Sequence, residues 1–225
     1  MPNHCESDLT ITGPVEDIFK FLEASYIKPQ PGEDGKIEKV DGARPDGSYL
    51  SLLQAHYPMP STLNITSGSN TDMAYRALYG TDAELDYWLK MPWAPERGLV
   101  DRASMIGYLE KTDPKALEEG RIAKDNLKNY GHTDWYSWAN AEWGTKWGDY
   151  ETRLLKSEPK KIKITFQTAW APPIPGLMKI AAKWPALKFD IRYYERGMGF
   201  KGRMVIKGDE VLTQEEGKYK GGRGG

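Results

Sequence analysis

The sequence is poor in cysteine, histidine and net charge, and each shortage argues against a class of protein. One cysteine cannot form an internal disulfide, which favours a reducing compartment. Three histidines without metal-ligand spacing argue against a zinc site. The 31 basic and 32 acidic residues give a formal charge of −1, so no global positive field points to nucleic acid.

Long apolar runs are missing too, and this bears on where the protein works. No run of membrane-spanning length occurs in the sequence. The first six residues, MPNHCE, have neither a basic nor an apolar signal region. We therefore expect a cytoplasmic protein without a membrane anchor. What is abundant is aromatic: eight tryptophans and 13 tyrosines.

The hydrophobic pattern changes period along the chain and predicts an α+β fold. Residues 8–12 alternate like a half-buried strand, and a helical stripe begins at Val15. Residues 49–57 fit either a strand or a short helix. Helical patterns then occupy much of the chain up to Trp143, and strand and helix patterns alternate from Tyr150. These later segments are strands over 150–155, 161–169, 187–193 and 200–206, a helix over 177–184, and one more strand after 209.

This order is β-α-β-β-α-β around a long insertion, which is the order of a ferredoxin-like fold. We expect an antiparallel sheet with two helices on one face, plus a large, mainly helical insertion. The predicted divisions are a ferredoxin-like domain from 1–25 and 148–216, an insertion of helices and loops over 26–147, and a disordered glycine-rich tail over 217–225.

Period-two alternation also predicts which side chains of the sheet point inward. Leu9 and Ile11 should pack beside four apolar residues of the later strands: Ile162, Ile164, Phe189 and Ile191. Tyr193 follows these residues inward. Arg192, with Asp190 and Lys188, should lie on the open face.

Several blocks of the sequence resemble the YubB-like proteins of plasmids and phages. They are residues 2–14 (PNHCESDLTITGP), 134–147, 166–173 (FQTAWAPP) and 194–202. His4 and Glu6 depart from the family's usual residues at these positions. The resemblance implies a ferredoxin-like C-terminal half and an origin on a mobile element in a bacterial host. It brings no catalytic residue with it.

Four patterns suggest chemistry, and each also has a structural explanation. His4 and Cys5 are adjacent, but neighbours on a strand point to opposite faces, which favours a buried structural cysteine. Residues 197–202 match G-x-G-x-x-G, but a strand follows, which favours a hairpin or bulge over a nucleotide loop.

Asp209 with 216–218 (EGK) resembles a metal-dependent nuclease pattern, and the acidic residues 82–86 are a second candidate. Solvated charge is favoured for both, so we assign no catalytic, metal or cofactor residue.

The tryptophans are the strongest signal for a binding site. Trp135 and Trp138 are one helical step apart and share a face. Packing of the insertion onto the sheet is the favoured explanation, and an exposed patch for a partner is the alternative. The candidate partner-binding residues are Trp135, Trp138, Trp143, Trp147, Trp170, Tyr194 and Arg192.

These patterns together predict a binding protein rather than an enzyme. We expect it to contact a host or element-encoded protein, with interference with host defence as one role that a mobile-element origin implies. Two alternatives remain open. Lys163, Arg192, Lys201 and Tyr193 could bind single-stranded nucleic acid, although alternation separates Arg192 from Tyr193. A metal-dependent nuclease or other hydrolase is the second alternative. Oligomeric state is not predicted.

Overall fold

The computed structural model describes residues 3–30, 36 and 40–222. Parts of the predicted loop over 26–48 and the end of the predicted tail lie outside these residues. The chain divides into two compact units. The first, called the sheet unit, is Met1–Pro58 together with Ala139–Gly225, and the second, the helical unit, is Met59–Trp138.

The sheet unit contains a six-stranded sheet in the order β4-β5-β1-β6-β7-β8, and every neighbouring pair is antiparallel. In chain order the strands are β1 (His4–Thr12), β4 (Tyr150–Glu158), β5 (Lys161–Ala169), β6 (Lys188–Glu195), β7 (Phe200–Lys207) and β8 (Glu210–Lys218). A two-stranded ribbon pairs β2 (Tyr26–Ile27) with β3 (Tyr49–Leu50). β4 and β8 are therefore the edges of the large sheet.

The register confirms the predicted core of the sheet. Leu9 lies opposite Ile164 on one side and Ile191 on the other, and Ile11 lies opposite Ile162 and Phe189. These side chains are almost completely buried. Tyr193 is buried beside them as expected, whereas Arg192 is exposed on the other face.

Two helices of the sheet unit, α1 (Val15–Ala24) and α8 (Ile174–Lys183), cover the buried face. Phe21 of α1 packs edge-to-face on Phe189, with ring centroids 5.6 Å apart. A short helix, α2 (Leu53–His56), follows the ribbon, so the segment 49–57 contains both of the structures that its pattern allowed. The predicted ferredoxin-like α+β fold is confirmed.

The helical unit is built from α-helices. They are α3 (Ser69–Tyr79), α4 (Asp82–Leu89), α5 (Arg102–Thr112), α6 (Pro114–Tyr130) and α7 (Trp135–Trp138). Thr81 and Glu84 form a reciprocal capping box at α4, and Asp101 and Ser104 form another at α5. A core that includes Met73, Met105 and Leu109 joins α3, α4, α5 and α6.

The structure places several boundaries differently from the sequence pattern. The helical unit is shorter than the predicted insertion of 26–147, because 139–147 and the described residues before Met59 belong to the sheet unit. The pattern that predicts one helix up to Trp143 changes after Trp138 into a π-helical turn, Ala139–Trp143. β8 runs through Lys218 because it pairs with β7 to that point, so the predicted tail of 217–225 begins too early.

Candidate partner-binding surface

Three of the seven candidate residues are buried and the other four are at least partly accessible. Trp135 is half-buried and Trp138 buried, and both belong to the helical unit. In the sheet unit, Trp143 and Tyr194 are also buried. The exposed candidates are Trp147, Trp170 and Arg192, all in the sheet unit.

Trp143 anchors the π-helical turn inside the sheet unit. Its indole N–H donates to the carbonyl of Tyr57 at 2.9 Å, and its ring edge lies against Gly176, where a Cβ would come within 3.3 Å of it. The Tyr57 hydroxyl in turn donates to Glu142 at 2.6 Å, and Lys179 of α8 binds both of these residues. Burial, followed by the hydrogen bond to Glu142, raises the pKa of Tyr57. Trp143 is therefore part of the packing of this unit.

Tyr194 is on the open face of the sheet, but other side chains cover it. Its hydroxyl donates to Glu6 on the neighbouring strand, and the ring of Tyr219 stacks on it at 5.2 Å between centroids. The guanidinium of Arg196 lies 5.7 Å from the same ring. A partner could reach the Tyr194 ring only after Tyr219 and Arg196 moved.

Four aromatic side chains lie near one end of the sheet, where β1 and β4 begin and β5 ends. We call His4, Trp147, Tyr150 and Trp170 the aromatic end. The Tyr150 hydroxyl is 2.8 Å from Nδ1 of His4, and the two rings meet edge-to-face at 5.8 Å. Trp147 packs on Tyr150 with centroids 6.4 Å apart. Burial raises the pKa of Tyr150.

Trp170 joins the aromatic end through its backbone. Its N–H donates to the carbonyl of Asn3 at 3.0 Å, beside the pair formed by His4 and Ala169. The N–H of Ala171 donates to the carbonyl of Ala169 at 2.9 Å, which closes a three-residue turn around Trp170. Trp170 has a φ of 72°, so this is the strained form of the γ-turn. The fold thus holds an exposed tryptophan in a sparsely populated backbone conformation that costs about 1 to 3 kcal/mol.

A groove of about 460 Å³ crosses the same open face nearer the middle of the strands. We call it the basic groove, because Lys161, Lys163 and Arg192 line it together with Asp8 and Asp190. Asp190 is already paired, since Arg203 donates to both of its oxygens at 2.9 and 2.8 Å. These hydrogen bonds lower the pKa of Asp190.

Cys5 and His4 point to opposite faces of β1, as alternation predicts. Cys5 is fully buried, and burial together with the charge of Glu195 raises the pKa of its thiol to about 12. The reactive form of cysteine is the thiolate, which is scarcely populated at that value. Cys5 is a structural residue of the core.

A serine and a histidine that are far apart in sequence meet in the sheet unit, but their hydrogen bonds oppose nucleophilic chemistry. The Trp184 indole N–H donates to Nδ1 of His56 at 3.2 Å, so the proton of the neutral ring is on Nε2. Nε2 lies 2.8 Å from the Ser25 hydroxyl, whose own proton goes to the carbonyl of Phe21 at 2.7 Å. His56 therefore donates to Ser25 and cannot accept its proton.

The nuclease-like pattern is spread along β8. Asp209 precedes the strand and Glu216 lies opposite Gly202 near its other end, seven residues later and about 23 Å away at about 3.3 Å per residue. Among the described residues, no group of three or more histidine, cysteine or acidic residues is placed to hold a metal ion. Residues 197–202 form the turn between β6 and β7 and the start of β7, and Glu195 accepts the N–H groups of Gly197 and Met198 there.

Sequence reasoning missed His4 and Tyr150 as surface residues. The available signal was the alternation of side chains along a strand. His4 precedes the buried Cys5 and therefore lies on the open face, and Tyr150 is the first residue of a predicted strand of the same sheet. Nothing in the sequence indicated the positive φ at Trp170, because a non-glycine residue with such a φ depends on the hydrogen bonds around it.

The fold and this surface define an α+β protein of the ferredoxin-like class with aromatic side chains near one end of its sheet. Comparison with known families agrees for the C-terminal part: residues 142–221 match the family described as the ferredoxin-like domain in Api92-like protein. A crystal structure of the protein Api92 from Yersinia pseudotuberculosis is similar with a TM-score of 0.46 and 11% identity, over 99% of each chain. No curated protein matches the chain in sequence. In the described part of the chain, no helix has the length and apolar character needed to span a bilayer.

Proposed function

We propose that the chain is a binding protein that docks a partner protein on its aromatic end. The observation that carries this proposal is the pair of exposed tryptophans, Trp147 with 40% and Trp170 with 47% of its surface accessible. Tryptophan is enriched among the residues that dominate binding energy at protein interfaces. The setting on a plasmid or phage, and a role against host defence, enter the proposal from the resemblance to YubB-like proteins.

The geometry favours a preformed surface. Hydrogen bonds from Trp170 to Asn3 and from Ala171 to Ala169 fix the backbone at Trp170 before any partner arrives. Trp147 rests on Tyr150, which is itself held by His4. Such preorganisation reduces the entropy that is lost when a partner orders these side chains.

The charge next to the rings indicates the chemistry of the partner. The ammonium of Lys146 lies 5.2 Å from the centroid of the Trp147 ring. An apolar partner surface with acidic residues at its edge would complement this arrangement, because the rings can be buried while the ammonium faces a carboxylate.

The test compares the wild-type chain with the double variant Trp147→Ala, Trp170→Ala. Each would be immobilised and exposed to bacterial lysate, and every captured protein would be purified and titrated against both forms. We expect the affinity to fall at least about tenfold in the double variant. The matched control is Phe19→Ala on α1, which removes an exposed ring from the helix side and should leave the affinity unchanged. Equal binding by the double variant and the wild type would exclude the aromatic end.

Single-stranded nucleic acid is the second candidate, and the basic groove is the observation that favours it. Fluorescence anisotropy with labelled oligonucleotides would show binding that weakens with added salt if phosphates contact Lys163 and Arg192. Lys163→Ala should weaken binding and reduce the salt slope, whereas Lys20→Ala on α1 should do neither. Binding without salt dependence, or none at low salt, would remove this candidate.

A further inference from the structure

The helical unit contains a cavity of about 380 Å³ that the proposed function does not use. Helices α3, α4 and α6 and the turn before α7 line it. Its walls include three aromatic side chains, Tyr75, Tyr87 and Trp88. This size suits a small molecule or one long side chain rather than an extended polymer.

The charges on the cavity wall are mainly negative. Three carboxylates, those of Asp72, Glu84 and Asp134, face one guanidinium, that of Arg76. Arg76 is already engaged, because it forms an ion pair with Glu84. Glu84 also accepts the backbone N–H of Thr81 at 2.8 Å, which fixes it at the start of α4.

Neither of the other two carboxylates forms a salt bridge among the described residues, although the charge of Arg76 partly offsets the rise in the pKa of Asp72. Asp134 accepts the N–H groups of Tyr136 and Ser137 at 2.8 and 3.0 Å and the hydroxyl of Thr133 at 2.8 Å. These neutral donors fix its orientation but do not cancel its charge. The salt bridges described for the chain include neither Asp72 nor Asp134. Burial, and then the charge of Asp134, raise the pKa of Asp72, as expected where two carboxylates approach each other.

Aromatic rings complete the wall. Trp88 is held edge-to-face between Tyr87 and Trp93, with centroids 6.3 and 6.0 Å away. An organic cation gains from the face of a tryptophan or tyrosine as well as from carboxylates, and the combination is typical of sites that recognise ammonium groups. Neither an anion nor a neutral apolar ligand would use both features.

We propose that this cavity binds an alkylammonium group, with Asp72 and Asp134 as its counter-charges and Trp88 as its aromatic wall. The ammonium group belongs either to a free small amine or to a lysine side chain presented by a peptide. In both cases the ammonium group lies beside two carboxylates of the same cavity wall.

Isothermal titration calorimetry on the full chain tests this, with diaminobutane and a capped tripeptide containing one lysine as the two probes. Saturable binding of the diamine alone identifies a small amine, and binding of the peptide identifies a lysine side chain. Butanediol, which has the same length without charge, should not bind. The proposal is overturned if neither cationic probe saturates or if butanediol binds equally well.

The variant Asp72→Asn keeps the shape of the side chain and removes its charge. It should therefore lower the affinity for the cationic probe at least about tenfold. The matched control is Asp86→Asn on α4, whose carboxylate is exposed and paired with Lys90 at 3.3 Å outside the cavity. It should retain wild-type affinity. Equal weakening by both variants would indicate a general effect of net charge and would contradict the proposed site.

Discussion

In the sheet unit, Leu9 meets Ile164 and Ile191 across the strands, whereas in the helical unit Thr81 meets Glu84 three residues later. The first unit depends on contacts between residues that are far apart in the chain, and the second begins three of its helices, α4, α5 and α6, with local side-chain caps. Long-range pairing fixes a register that one strand cannot determine alone. Local capping fixes where a helix begins, but leaves the packing between helices to their side chains.

The aromatic end and the cavity differ in the same way as the two units that contain them. The aromatic end of the sheet unit combines residues from two strands, β1 and β4, with one from the segment before β4 and one from the turn after β5. The cavity of the helical unit combines residues near helix starts, such as Asp72 and Glu84, with the cap residue Asp134. Three changes would test how far each unit depends on its own kind of contact.

The largest expected effect is in the sheet. Ile164→Ala removes a fully buried side chain at the centre of the register, and we expect it to lower the free energy of unfolding by about 2 to 4 kcal/mol. Urea unfolding measures this. The control is Lys163→Ala, one residue earlier on the open face, which should change stability by less than about 0.5 kcal/mol. Similar losses for both would contradict the strand phase.

We expect His56, also in the sheet unit, to make the protein less stable in acid. Burial, and then the charge of Lys183, lower the pKa of His56 from 6.5 to about 4. Between these pH values the unfolded chain binds the proton and the folded chain does not, so stability falls as the pH falls. The shift sets an upper limit of about 3 kcal/mol on the loss.

Urea unfolding at a series of pH values would measure the contribution of His56. His56→Gln should be less stable near neutral pH, because the ring stacks on Phe21 with centroids 4.3 Å apart. It should also lose the part of the pH dependence that arises between 6.5 and 4. If the slope in that interval stays unchanged, His56 is not its source.

The smallest effect contrasts two glycines of the helical unit. A Cβ at Gly120 of α6 would lie 3.0 Å from the backbone nitrogen of Tyr75 and 3.1 Å from Cβ of Ala74, so α3 and α6 approach closely there. Gly120→Ala should destabilise by about 1 to 3 kcal/mol through overpacking. Gly107→Ala on α5 meets nothing within 4 Å and should stabilise by about 0.5 to 1 kcal/mol. Thermal unfolding would compare the stabilities of the two variants with that of the wild type. If both variants were more stable than the wild type, α3 and α6 would be able to move apart.

Part of the candidate site was predictable, and part was not. Trp147 and Trp170 stood out because tryptophan is rare and large, and strand alternation alone was enough to assign Arg192 to the open face. The same reasoning grouped Trp143 and Tyr194 with them, although Tyr57 and Gly176 enclose the first and Tyr219 covers the second. Burial of an aromatic ring depends on residues remote in sequence, so composition cannot decide it.

By itself, the sequence determined the order of strands and helices around the insertion, and the inward phase of Leu9, Ile162 and Ile164. Period-two alternation and helix caps are local, and they act before distant segments meet. Only the tertiary structure decided which tryptophans remain exposed, how Ser25 and Trp184 orient His56, and where Asp72 approaches Asp134. Each of these depends on side chains from separate elements, and their positions are set by the packing of the whole unit.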